Sequence, residues 1–319
     1  MEHEGYYATH SLMSDPGRHA SLVAALPDDV GAIAEALQGL CIYDVVAEPF
    51  YGFRVPSERA GEIHLRGVAD MLERIVSLDA RPLSQARPVE KRLVSRCHHY
   101  GLLLVSMLRS TGIPARLRGG FAAYFNAPFF EDHWVAEYWK ADEDRWVLAD
   151  AQLDAVWLAR LPGIEKPLDL SSDQFVLAAD AWQQCRSGAA DATRFGIGFA
   201  NLRGLWFITG SLVRDLAALE KMEMLPWDVW GVQAGIDAEL TPSELAFYDR
   251  LAAMMADPDR RFTELRESYD ADGGLRVPPL VFNALTDRSE PILPDGAGTH
   301  RQAVGGQGQA GTMQADAII

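Results

Sequence analysis

The sequence is poor in cysteine. Only Cys41, Cys97 and Cys185 occur among 319 residues, an odd number at wide spacing that suits neither a disulfide scaffold nor a structural zinc site. A reducing, cytoplasmic compartment is the expectation that follows. Basic residues are also in short supply: 29 Lys and Arg stand against 45 Asp and Glu, a net charge of −16. Nucleic-acid affinity rests mainly on neutralising phosphates, so nucleic acid is a poor partner for such a surface, and the same sign disfavours anionic membranes. No run of about 18 uninterrupted apolar residues occurs, which removes a spanning helix. The first residues carry Glu2, Glu4 and Asp15 with no apolar core, unlike a secretory signal. Nucleotide-binding signatures are missing as well, since Gly196-Ile197-Gly198 lacks a third glycine and there is no P-loop, and the Gly-x-Ser-x-Gly that presents a nucleophilic serine is missing too.

What is present is an ordinary globular composition, 48% hydrophobic and 23% charged, in a length that suits one large domain or two smaller ones. Apolar residues at helical spacing predict helices over 30–40 and 61–76. Residues 97–109 are apolar on nearly every face, which predicts a buried helix. Gly112 and Pro114 end it. The period then changes: 116–125, 133–139 and 146–149 are rich in aromatic and β-branched residues and predict three antiparallel strands, the last two joined by a charged connection. Beyond Pro167, helices are expected at 173–185, 205–222 and 244–255, the last opened by the capping box Thr241-Pro242-Ser243-Glu244. The predicted organisation is an N-terminal segment (1–20), an α+β core (21–167), a mostly helical extension (168–295) and a disordered tail (296–319) rich in Gly, Gln and Ala.

Cys97 stands at the start of the buried helix, facing unpaired backbone N–H groups and the positive end of the helix dipole, both of which stabilise a charged sulfur. A lone cysteine is more often a small buried hydrophobe, and Cys41 and Cys185 are read that way. Two residues set Cys97 apart. His133 begins one predicted strand and Asp150 ends the next, so hairpin pairing brings them to the same end of the sheet. The imidazole is then oriented by a carboxylate and keeps its other nitrogen for a thiol. Asp132 should point to the opposite strand face and Asp154 lies past the strand end, so both are weaker orienting groups. Cys97-His98-His99 lacks the further ligands that zinc needs, and no metal is expected; one of the two histidines should face solvent and the other the packing. Trp134, abutting His133, is the aromatic expected to border the pocket and touch substrate, whereas Trp139, Trp146 and Trp157 belong to the core.

These residues resemble the transglutaminase-like superfamily, relatives of papain-type cysteine proteases. The resemblance rests on Cys97 with Gly101 one turn on, the segment Arg109-Ser110-Thr111-Gly112-Ile113-Pro114-Ala115-Arg116, His133 with Trp134 and Glu137, and Trp146 four before Asp150. It covers the cysteine helix and three strands. Ser95 stands where members often carry glycine, and His133-Trp134 replaces a His-x-Trp pattern. The resemblance implies a papain/transglutaminase-like α+β core, a Cys97–His133–Asp150 triad and no cofactor. It also implies acyl transfer through a thioester, from an amide or ester such as a peptide or a carrier-bound acyl group, to water or an amine. The Cys97 backbone N–H is the oxyanion donor that the sequence names. A non-catalytic interaction protein that keeps the fold is the competing reading.

Overall fold

The change of period after Gly112 decides the architecture. Gly112 takes φ +81°, a left-handed conformation that glycine adopts without steric cost, and the helix Cys97–Ser110 gives way there to strands. The computed structural model describes residues 2–161 and 163–292; the expected tail, 296–319, lies outside them. In chain order, β1 (Cys41–Tyr43) and β2 (Leu93–Ser95) form a short parallel pair, and β2 leads into the cysteine helix. β3 (Ala115–Asn126), β4 (Phe129–Lys140) and β5 (Arg145–Ala149) then form the antiparallel meander expected from their aromatic and β-branched residues. His133 lies inside β4 and not at its start, because Phe129 and Phe130 extend the strand. Together these elements make a helix-plus-sheet α+β fold.

The region expected to be a helical extension also supplies strands. β6 (Phe175–Leu177), β7 (Phe195–Ile197) and β8 (Leu202–Arg203) complete a six-stranded sheet of order β6-β3-β4-β7-β8, with β5 on β4. The helix expected at 173–185 begins only at Ala178. Phe175, Val176 and Leu177 suit an extended conformation, and the edge of β3 captures them. The helix Leu205–Leu219 is buried along nearly its whole length in the same core as the cysteine helix. Packing therefore runs across the expected boundary near Pro167. It also takes in the N-terminal segment: Tyr7 is buried, and its hydroxyl donates to the Leu219 carbonyl at 3.1 Å. Among the described residues no helix is long and apolar enough to cross a membrane.

Two features position the site. The cysteine helix lies tight against β3 and β4 because residue 101 is glycine; a Cβ there would stand 2.6 Å from Leu117 Cδ1 and 3.4 Å from the Val135 carbonyl carbon. The second feature is a divided strand edge. β7 runs parallel to β4 at residues 130–131, while β5 pairs antiparallel with residues 136–140. Between them β4 has no strand neighbour on that edge among the described residues, and His133 sits in the gap.

Candidate active site

Cys97 is fixed from both sides. Before it, β2 is held to β1, and the Ser95 hydroxyl donates to the Ile42 carbonyl at 3.1 Å. At the helix start, the Arg96 N–H donates to His99 Nδ1 at 3.1 Å, and the Arg96 guanidinium grips both carboxylate oxygens of Asp44. The thiol is 5% exposed. From β4, His133 Nε2 stands 2.8 Å from Asp150 Oδ2. Asp150 follows β5 directly, and since Ala149 pairs with Ala136, the register delivers the carboxylate beside His133. It accepts two further hydrogen bonds, from the Tyr124 hydroxyl to Oδ2 at 2.7 Å and from the Gln152 backbone N–H to Oδ1 at 2.9 Å.

Burial works against a charged imidazole. The Asp150 carboxylate, bonded to the ring, and the charge of the nearby Cys97 sulfur outweigh it and raise His133 to about 10. Both neighbours thus favour the protonated imidazole, whose Nε2–H serves Asp150. In front of these groups opens a cavity of about 410 Å³, lined by Cys97 and His133 and walled by Tyr43, Phe50, Phe125, Trp157 and Trp227. Phe199, 65% exposed, stands at its rim.

All three residues fall within 68–151, a segment that matches the family model described as the transglutaminase-like superfamily. Residues 68–151 are thus similar to the core of that superfamily. A solved structure from Cytophaga hutchinsonii, named "Putative Cysteine Protease", is also similar, at 16% identity and a TM-score of 0.31. That match covers 54% of this chain and 44% of the other, less than half of its length, and is too loose to bear on fold or activity. No curated protein matches the chain.

Within the transglutaminase-like core, several expected placements change. Trp134 does not line the cavity. Neighbouring residues on a strand point to opposite sides, so with His133 turned to the site Trp134 is turned into the core, 2% exposed. Its ring packs 5.5 Å from that of His98, over Gly119, where a Cβ would meet the indole at 3.0 Å. Asp132 is among the residues of the cavity wall, and burial pushes its carboxyl up to about 6 against the pull of Arg214 and His133. The imidazole nevertheless bonds to Asp150. Asp154 caps a short helix, accepting from the N–H groups of Val156 and Trp157.

His98 and His99 are both wholly buried, with neither facing solvent. Burial lowers His98 to about 3 and His99 to about 4, so both are neutral; His98 Nε2–H donates to the Glu223 carbonyl at 3.2 Å. No group of three or more His, Cys, Asp or Glu among the described residues is placed to hold a metal ion. Arg96, Asn126, Glu131, Gln152 and Arg160 of the cavity wall all escape the sequence reading. Gln152, two after Asp150 and between the apolar Ala151 and Leu153, is 2% exposed. Its signal was a lone amide inside an apolar run.

Proposed function

We propose that the protein is a cysteine-dependent acyl-transfer enzyme with Cys97 as nucleophile, His133 as its proton partner and Asp150 as the orienting carboxylate. The observation that carries this reading is the bond of His133 to Asp150 at the wall of a cavity that Cys97 also lines. The sulfur attacks an amide or ester carbonyl, forming a C–S bond as the carbonyl π electrons move to oxygen. Cys97 opens its helix, so its backbone N–H is not engaged in the helical ladder and is free to face that oxygen. Collapse of the intermediate expels the amine or alcohol, which takes its proton from His133, and leaves a thioester.

Water or an amine then attacks the thioester, His133 removes the proton, and the thiolate departs. Burial of Cys97, His133 and Asp150 favours an acceptor admitted together with the substrate over bulk water. Substrates are amide- or ester-bearing, with a peptide or a carrier-bound acyl group as the leading classes. The three free cysteines suit a reducing, cytoplasmic setting. The test is intact-protein mass spectrometry after incubation with panels of amides and esters, with and without added amine. An acyl adduct that maps to Cys97 and is discharged by water or amine is the expected result. Turnover without an adduct, unchanged in Cys97→Ala, would reject the reading.

A further inference from the structure

Two residues of the cavity wall carry buried polar atoms that meet no hydrogen-bond partner among the described residues, Trp227 at its Nε1 and Gln152 at both ends of its amide. Gln152 is 2% exposed and lines the cavity with Cys97 and His133, yet neither its Oε1 nor its Nε2 meets a hydrogen-bond partner among the described residues. Its backbone is held rigidly. The Gln152 N–H is bound to Asp150 Oδ1 at 2.9 Å, and Gln38 Nε2 donates to the carbonyls of Ala151 and Leu153 at 3.3 and 3.4 Å on either side. A buried amide without partners is costly, and proteins seldom keep one that has no use.

We infer that Gln152 is a specificity-determining residue, and that the group it recognises is a neutral amide of the substrate, next to the reacting carbonyl and flanked by an apolar or aromatic group. A carboxamide side chain offers an acceptor and a donor side by side, and the complement of that pair is another amide. An anionic group meets Glu131 and Asp132 on the same wall, while Arg96 is taken by Asp44 and Arg160 lies over the Phe50 ring with its Nη1 on the Val156 carbonyl. Tyr43, Phe50, Phe125 and Trp157 give the flanking group an aromatic seat. The sequence Asp150-Ala151-Gln152 thus couples orientation of the imidazole and reading of the substrate through one carboxylate.

The inference rests on Cys97 being the nucleophile, and the test separates the two. Two thiol-alkylating probes of equal size, N-benzyl chloroacetamide and benzyl chloroacetate, differ only in an N–H replaced by oxygen. With each, the Cys97 sulfur displaces chloride and forms a C–S bond. Rates are read by peptide mass spectrometry and divided by those of glutathione. Cys97 is expected to favour the amide probe by about tenfold, the worth of one to two hydrogen bonds. Gln152→Met, similar in length, should erase that preference by slowing the amide probe alone, without lowering the unfolding midpoint, since no protein hydrogen bond is lost.

No amide preference in the wild-type protein overturns the inference. Equal slowing of both probes in Gln152→Met also overturns it, because Gln152 then serves the carbonyl oxygen common to amide and ester. A lowered midpoint with the preference retained assigns Gln152 to packing and likewise overturns it. Methyl methanethiolsulfonate, a small reagent with no amide or ester, reports on the nucleophile by itself. Reaction of Cys97 no faster than Cys185 rejects the nucleophile reading, while an amide preference that Gln152→Met removes would still support recognition.

Discussion

Strand β4 carries two buried ionisable clusters four residues apart, and they differ in how they end. At Glu137 the charges close on one another. Arg116 and Arg118 both bond to Glu137, at 2.5 and 2.8 Å, Arg118 continues to Asp215 at 3.0 Å, and Arg116 reaches Asp259 at 2.6 Å. At His133 the cluster stays open: the ring bonds to Asp150, Cys97 lines the same cavity, and the neighbouring Gln152 amide is unpaired. Both clusters are buried, and both shift the protonation of their members strongly. Burial of charge therefore does not by itself mark a site; unsatisfied groups that face an opening do.

The comparison can be broken most sharply by substitution. Cys97→Ala should abolish turnover with the unfolding midpoint preserved, measured by activity and circular dichroism; activity that survives places the reaction elsewhere. Asp150→Asn should lower kcat by about 10²–10⁴-fold, the scale seen when an orienting carboxylate is neutralised or general acid–base catalysis is lost, with a smaller change in KM. Glu137→Ala should do the reverse. It removes the carboxylate that Arg116 and Arg118 share, leaving each with one partner, Asp259 and Asp215, at a cost of up to about 3–5 kcal/mol in denaturant unfolding, with kcat per folded molecule nearly unchanged. If Glu137→Ala reduced kcat as strongly as Asp150→Asn, the division between the two clusters would fail.

Acid and base separate the clusters more gently. His133 is raised from 6.5 to about 10, so the stability it contributes is fully present below about pH 6.5 and is lost as pH rises through about 10. Glu137 is lowered from 4.5 to about 2, because its pairing with Arg116 and Arg118 overrides burial. Its contribution is present above about pH 4.5 and is lost as pH falls through about 2. Unfolding midpoints followed across pH should therefore decline at both ends. His133→Gln should flatten the alkaline decline and leave the acid one in place.

The meander and the cysteine helix were legible because their patterns differ so clearly, 97–109 apolar on nearly every face and the strands of 116–149 rich in aromatic and β-branched residues. The order of Cys97, His133 and Asp150 along those elements was legible with them. Three things were not. Phe175-Val176-Leu177 reads equally well as the first turn of a helix, and only the free edge of β3 decides that it is a strand. Trp134 looked like a pocket wall because it abuts His133, but strand alternation, together with the space left by Gly119, sends it into the core. Gln152 gave almost no signal. Its importance lies in bonds it does not make, and a sequence records residues without recording their partners.

On this reading the Cys97 sulfur is activated by its neighbour His133. The direct measurement is the rate of alkylation of each cysteine at mildly acidic pH, read by peptide mass spectrometry in the wild type and in His133→Ala. Burial pushes the Cys41 thiol up to about 12 and that of Cys185 up to about 11, so both should react slowly. Cys97, though only 5% exposed, should react at least about tenfold faster and should lose that advantage in His133→Ala. Equal rates for the three cysteines, or a Cys97 rate indifferent to His133, would contradict the account.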